Sequence, residues 1–362
     1  ALTIIAHYLD EEGPALVVTP SSLGAVWRSQ ARRWLKELRP SEVQLVTSTK
    51  DAPRPTSKLV IVSYATFVRN KAFTTTFSGE PWKIVVCDEA HNLRNPTSQR
   101  GKLLLPVLHA ARRKVLVTGT PTPKQASEAY TLLHALRCLG CGFKEWCTRY
   151  GAARTEHREA EVAALLLEVM VRRMKADVMD QLPPKQRKRI ELQLPASSAA
   201  AVKRLQAQAL EGGGGRGAKG DSHFEQLARL KEVAAQDYVD YLLGASKEKF
   251  LLFAHHLPML DAVTLAVTRR NVDCIRIDGS TKVEDRPGLV QRFQEEPSCR
   301  VAVLSIMAAG EGLTLTAAAR VVFCELCPAV PGVIEQAEAR VHRLGQKAGQ
   351  VDIHFLVVEG TH

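Results

Sequence analysis

Two short stretches hold the residue types best suited to chemistry. In the first, the apolar run Val85-Val86-Cys87 leads into adjacent carboxylates, Asp88 and Glu89, followed by Ala90 and His91. A run of this kind predicts a buried strand, and open α/β sheets collect ligands outside the carboxyl ends of their strands. Two carboxylates placed there suit metal-assisted hydrolysis: Asp88 can hold Mg²⁺ while Glu89 positions or deprotonates water. In the second stretch Gln336, Arg340 and Arg343 stand at i, i+4 and i+7. The spacing predicts a helix with these three on one face and Ile334, Ala337, Val341 and Leu344 on the other. Arginines that reach a transferring phosphoryl group are worth roughly three to five orders of magnitude in rate. Together the two stretches predict a two-part ATP-driven machine.

Such residues need elements to hold them, and the chain supplies an alternating pattern. Strand-like runs at 15–19, 43–47, 59–63, 84–88 and 115–118 alternate with helical sequence, as a parallel sheet with crossover helices requires. Leu23, Val26, Trp27, Ala31, Trp34, Leu35 and Leu38 recur at helical spacing, with Arg28, Arg32, Arg33, Lys36 and Arg39 mostly turned away. The stripe predicts core packing for both tryptophans, and Ser21 or Ser22 is the expected cap. From about Tyr150 to Ala245 the strand pattern gives way to helical, charge-rich sequence. This region carries Arg172, Arg173 and the basic stretch from Lys185 to Arg189, which suit either a solvated surface or contact with DNA or an acidic partner. Gly212 to Gly217 lacks the Gly-Lys-[Ser/Thr] of a phosphate cradle and reads as a flexible insert. Strand-like runs resume at 250–254, 272–277, 301–305, 321–325 and 353–358, which predicts a second α/β domain.

Composition narrows the partners. At 362 residues the length suits two or three domains. A net charge of +11 favours a polyanion, and with 6% aromatic residues the attraction is to phosphate more than to stacked bases. No run is long and apolar enough to span a membrane, so no membrane partner is expected. The 8 cysteines do not form a disulfide framework in a chain of this size, and Cys87, Cys274 and Cys324 sit inside apolar runs. The pairs Cys138/Cys141 and Cys324/Cys327 lie far apart in the sequence, and no zinc is expected on them.

The order of these motifs resembles the helicase superfamily 2, and within it the Swi/Snf-type ATPases. Thr19-Pro20-Ser21-Ser22 and Ile61-Val62-Ser63-Tyr64 look like DNA-backbone motifs, Asp88 to His91 like the Walker B box, and Thr118-Gly119-Thr120-Pro121 like the coupling motif. Asp278-Gly279-Ser280, Gly310 to Thr314 and Gln336 to Gln346 follow in the family's order. Phe253-Ala254-His255-His256 and the segment Ile275 to Ser280 are similar to the annealing helicases, the HepA-related branch that rewinds DNA at stalled forks.

The resemblance implies two RecA-like parallel-sheet lobes, at 1–148 and 246–362, with a helical accessory region at 149–245. It implies ATP and Mg²⁺ as cofactors, with ATP between the lobes and Asp88, Glu89, Gln336, Arg340 and Arg343 catalytic. His91, Gly119, Thr120, Gly310 and Gly312 would couple nucleotide to motion. Pro20, Ser21, Ser22, Ser63, Tyr64, Gly279, Ser280, Thr314, Arg172 and Arg173 would meet DNA. The partner would be duplex or branched DNA, gripped by its phosphate backbone, in the nucleus, with replication or repair proteins recruited through regions outside this chain.

Departures from the family pattern are expected to matter. The family's Gly-Lys-Thr loop would fall before Ala1, so the chain reads as a fragment that by itself hydrolyses little ATP. Ala339 stands where the family usually has an acidic residue, and Glu325-Leu326-Cys327-Pro328 replaces an aromatic segment. Besides an annealing DNA translocase, the residues suit a catalytically incomplete DNA- or chromatin-binding module, a chromatin-remodelling ATPase, or a strand-separating helicase. The spacing Arg340, Arg343, Gln346 favours the translocase form over the last.

Overall fold

Period-two alternation explains how the first half folds. Along β1 (Ala15–Thr19), β3 (Leu59–Ser63) and β4 (Ile84–Cys87), successive side chains point to opposite faces, yet nearly all are apolar and buried. Leu16, Val18, Val60, Val62, Val85 and Cys87 pack into one core. Ala15, Val17, Leu59, Ile61, Ile84 and Val86 pack into another on the opposite face. Burial on both faces is what a parallel sheet covered by helices demands. The sheet also contains β2 (Val43–Leu45) and β5 (Arg113–Leu116), in the order β2-β3-β1-β4-β5, and all its pairings are parallel. The computed structural model describes residues 1–122, 125–151, 156–173, 181–194, 196–211, 223–309, 312–325 and 331–358.

The chain divides into two compact units, Ala1–Met174 and Lys175–His362. The second unit repeats the scheme with six parallel strands: β6 (Lys185–Leu192), β7 (Phe250–Ala254), β8 (Asp273–Ile277), β9 (Cys299–Ser305), β10 (Arg320–Phe323) and β11 (Val351–Val358). Their order is β6-β11-β10-β7-β9-β8. Phe250, Leu252, Val301, Val303 and Val322 fill one face. Leu251, Phe253, Ala302, Leu304 and Phe323 fill the other. Phe253, Phe323 and Phe355 stack across adjacent strands with ring centroids 5.3 and 5.2 Å apart. Two parallel-sheet α/β lobes were expected, and two are present.

Strand β6 departs from the expectation of an all-helical accessory region. Its sequence, Lys185 to Leu192, is too charged to read as a buried strand, and most of its side chains are exposed. It occupies the edge of the second sheet, where only one neighbour is needed, and pairs with β11 along its full length. Its cations are spent internally. Lys185 and Arg187 both clasp Glu338, which is 1% exposed, and Lys188 pairs with Asp352 at 3.3 Å.

Glu338 is therefore the latch between β6 and the helix Pro331–Glu338. We expect Glu338→Ala to cost about 2 kcal/mol, less than for a fully buried ion pair because the two cations can turn to water. Arg187→Ala should cost less, since Lys185 remains. Chemical unfolding of the two variants measures both shifts, and an unchanged midpoint for Glu338→Ala would show that β6 is held by its backbone alone.

Candidate active site

Strand order places the carboxylates. The chain leaves β1, builds β2 and β3 on one side, then returns to add β4 on the other, so a crevice opens beyond the carboxyl ends of β1 and β4. Asp88 follows β4 at this point. Its N–H donates to the Val18 carbonyl at 2.8 Å, which carries the ladder one residue past the strand. Its carboxylate accepts from Trp27 Nε1 at 2.7 Å, from Thr19 Oγ1 at 3.3 Å and from the Glu89 N–H at 2.9 Å. Burial raises the Asp88 pKa, the neighbouring Glu89 charge adds to the rise, and the Trp27, Glu89 and Thr19 hydrogen bonds oppose it. A carboxylate that is desolvated, oriented and next to a second anion is a fitting ligand for a divalent cation.

Glu89 takes a left-handed backbone, with φ 45° and ψ 52°. A residue with a Cβ adopts this region only when neighbours hold it there. Here Ala90 N–H bonds to the Val117 carbonyl at 2.8 Å, and both Asn92 N–H and Asn92 Nδ2 donate to the Glu89 carbonyl at 2.9 Å. Arg100 in turn donates to Asn92 Oδ1 at 3.0 Å. The Glu89 Oε2 atom is buried without a hydrogen bond, although His91 Nδ1 lies 3.3 Å away. A buried acceptor with spare capacity is what a base or water-orienting group needs.

His91 Nδ1 also lies 3.1 Å from Thr118 Oγ1, which accepts from the Thr120 N–H at 3.1 Å. Glu89 and His91 are thus tied by side-chain contacts to the turn holding Gly119 and Thr120, and Asp88 joins them through the Glu89 N–H.

Several expectations need correction. Tyr64 does not face outward as a DNA contact: it is 3% exposed and donates to the Asp88 carbonyl at 2.8 Å, with burial pushing its phenol well above its ordinary pKa. Ser63 Oγ caps the following helix, Tyr64–Arg69, accepting from Thr66 N–H at 3.0 Å. Trp34 is 63% exposed and so is not core. Ser21 and Ser22 lie in a short 3₁₀ turn, Ser21–Leu23, and the helix Gly24–Trp34 is capped at Leu23 without a side-chain bond. Trp27 was expected only as packing. It does pack, half-buried, against the core, and its indole N–H also makes the shortest hydrogen bond to Asp88; the signal available was that a tryptophan with one edge in the core needs a hydrogen-bond acceptor.

In the second unit, Arg340 and Arg343 do not ride the predicted helix. It ends at Glu338, after which Arg340 N–H bonds Ala337 at 3.1 Å, Val341 N–H bonds Glu338 at 3.1 Å, and Gly345 takes φ 95°. These i−3 bonds mix with i−4 bonds from Ala339 and His342 N–H, and the chain then turns. This buries Arg340 to 9% exposure, turns Leu344 outward at 54%, and leaves Gln336 within the helix. Arg343 is exposed and donates to Thr314 Oγ1 at 3.0 Å, so two predicted residues do meet. Gln346 Nε2 braces the turn by donating to the Ala318 and Val341 carbonyls at 2.7 and 3.2 Å.

Asp278 closes the loop after β8, accepting from Ser280 N–H and Oγ at 2.9 and 2.6 Å and from Arg276 Nε at 2.8 Å. The Ser280 hydroxyl, with Arg276, holds its pKa at about 2. Gly279 and Ser280 are exposed beside it, Gly312 has φ 76°, and Arg172 and Arg173 are exposed. Gly310, the insert at 212–217 and Cys327 lie outside the described residues.

Glu325, in the segment that departs from the family pattern, is 6% exposed. It accepts from the His255 and His256 N–H groups at 2.7 and 3.0 Å and pairs with His256 Nδ1 at 2.7 Å. It joins the carboxyl ends of β7 and β10, where the strand order of the second sheet reverses.

The chain matches the SNF2-related domain over residues 2–239 and the helicase conserved C-terminal domain over residues 234–345. It belongs to the SNF2-related family. It is 39% identical to the mouse DNA annealing helicase and endonuclease ZRANB3, over 99% of this chain and 36% of that protein. The human counterpart is 38% identical over 99% of this chain and 35% of that protein. The Xenopus tropicalis SWI/SNF-related matrix-associated actin-dependent regulator of chromatin subfamily A-like protein 1 is 37% identical over 99% of this chain and 39% of that protein. The chain therefore spans little more than a third of the length of these curated relatives. The Sulfolobus solfataricus SWI2/SNF2 ATPase core in complex with double-stranded DNA aligns over 99% of this chain and 79% of that one, at 20% identity and a TM-score of 0.41. The resemblance seen in the sequence, to the Swi/Snf-type group and its annealing-helicase branch, holds.

Asp88 has a consequence for stability. Its pKa is raised on folding, so its contribution is fully present below the unfolded value of about 4 and is lost as pH rises through the folded value. Without nucleotide or metal, Asp88→Asn should melt higher than wild type at neutral pH, with the gap closing as pH falls towards about 4. A lower melting temperature at neutral pH would contradict burial as the dominant cause.

Proposed function

We propose that the protein containing this chain is a DNA-dependent ATPase that moves along duplex DNA and reanneals its strands, at replication forks or repair intermediates in the nucleus. One observation carries the reading: a half-buried, oriented Asp88 beside a left-handed Glu89 with an unsatisfied buried oxygen, at the point where the strand order of the first sheet reverses. The names of the relatives, DNA annealing helicase above all, support the choice of substrate.

In this proposal Asp88 would hold Mg²⁺, whose charge would stabilise the transferring phosphoryl group of ATP. Trp27 and Thr19 fix the carboxylate, and Tyr64 fixes the backbone beneath it. Glu89 orients the attacking water and takes its proton. His91 passes the state of that site to Thr118, and so to the loop with Gly119 and Thr120. Arg343, exposed and hydrogen-bonded to Thr314, would be the cation that the second unit offers to a phosphoryl group. Arg340 and Gln336 shape the same segment, Arg340 from a buried position. Ser21, Ser22, Gly279 and Ser280, with Arg172 and Arg173, would contact the DNA backbone, which gives little sequence preference and steep salt dependence.

In the full-length protein, Glu89→Gln should leave nucleotide binding nearly intact and lower DNA-stimulated hydrolysis by about two orders of magnitude or more, since the amide keeps the shape and loses the base. Salt-sensitive DNA binding should persist. Steady-state hydrolysis with and without duplex DNA is the measurement. Undiminished turnover would remove Glu89 from the mechanism and leave a DNA-binding module as the better description.

A further inference from the structure

The first unit has a cavity that the proposed motor does not use. It is an open depression of about 350 Å³ at the amino ends of β1, β3 and β4, between Gly13-Pro14, Ser57-Lys58 and Trp82. Asp88 and Thr19 lie at the opposite ends of those strands, roughly 15 Å away for a strand of this length. Its floor is apolar: Leu9 is 7% exposed, Trp82 1% and Val60 0%.

Two ordered loops form its walls. One carries Arg54 between Pro53 and Pro55 and is fixed from below by Gln44, which is 2% exposed. Gln44 Nε2 donates to the Ala52 carbonyl at 2.8 Å, while its Oε1 accepts from Arg54 N–H at 3.0 Å and Ser57 Oγ at 2.9 Å. The other wall is the turn 76–80, closed by Thr76 N–H and Thr76 Oγ1 on the Glu80 carbonyl at 2.8 and 3.1 Å, with Gly79 at φ 81°. That turn holds Phe77 at 63% exposure. Lys58 is half-exposed and lies 3.7 Å from Glu42, and Asp10 stands on the rim.

The arrangement exposes a phenylalanine and an arginine on backbone that is already ordered. Arg and aromatic side chains are the usual anchors of protein interfaces, and pre-ordered loops lower the entropy cost of binding. The Arg54 guanidinium has no carboxylate partner among the described residues, so the wall has a positive charge to offer.

We propose that this cavity docks an extended peptide segment of a partner protein, in which an apolar side chain fills the space beside Phe77 and a neighbouring carboxylate pairs with Arg54. The occupant is acidic and apolar in alternation. Its binding leaves the Asp88 end of the sheet open, so the surface recruits without competing for nucleotide or DNA.

The test uses the full-length protein and fluorescence anisotropy of a labelled dodecapeptide in which Asp and Glu alternate with Leu and Phe. A control peptide keeps the acids and replaces Leu and Phe by Ser. The first peptide should bind, and Arg54→Glu and Phe77→Ser should each weaken it by about tenfold or more. The control should bind at least as weakly, while melting temperature and DNA-stimulated hydrolysis stay unchanged in both variants. Equal binding of the two peptides, or affinity untouched by both substitutions, overturns the proposal. Loss of duplex-DNA affinity in Arg54→Glu without loss of peptide affinity also overturns it, and reassigns the surface to nucleic acid.

Discussion

The parallel pairing of β1 with β4 is the constraint on which the site depends. It aligns Val18 with Cys87, so that the next residue of each strand, Thr19 and Asp88, arrives at one edge of the sheet. Asp88 N–H then continues the ladder onto Val18, and the carboxylate is left facing Thr19 and the Trp27 indole. Burying a carboxylate there is unfavourable, as the direction of its pKa shift records. Three donors offset part of the cost. The remainder is kept as affinity for positive charge, and the strained turn at Glu89 adds a second anion to the same place.

Charge is used differently away from that edge. A net +11 invites a nucleic-acid explanation for every basic cluster, yet much of it is committed internally. Lys185 and Arg187 hold Glu338, Lys188 holds Asp352, and Lys231, 6% exposed, donates to the Cys324 and Leu356 carbonyls at 3.1 and 2.9 Å. Burial lowers the Lys231 pKa, so that contact too is a desolvated charge held by carbonyls. Arg172, Arg173 and the exposed loops at Ser21 and Gly279 remain better placed to meet phosphate.

The sheets were legible because a parallel strand is apolar on both faces and so stands out as an unbroken run: 15–19, 59–63 and 250–254 coincide with β1, β3 and β7. The Asp88–Glu89 pair was legible because it ends such a run. Strand β6 was not, since an edge strand stabilised by ion pairs has no apolar signature. The segment with Arg340 and Arg343 was misread for a related reason. Its spacing fits a helix, but periodicity does not reveal that the helix stops at Glu338, where Glu338 is claimed by β6 and the backbone turns towards Gly345. Trp27 and Tyr64 were missed as supports of Asp88 because apolar spacing predicts where a ring packs and says nothing of where its polar atom points.

The central claim is that Asp88, oriented by Trp27, is the cation ligand of this site. It is tested most directly by electron paramagnetic resonance titration of Mn²⁺ into the full-length protein holding a non-hydrolysable ATP analogue. Wild type should retain a tightly held Mn²⁺, Trp27→Phe should weaken it by about tenfold through loss of orientation alone, and Asp88→Asn should weaken it further. Mn²⁺ affinity unchanged by both substitutions would contradict the account.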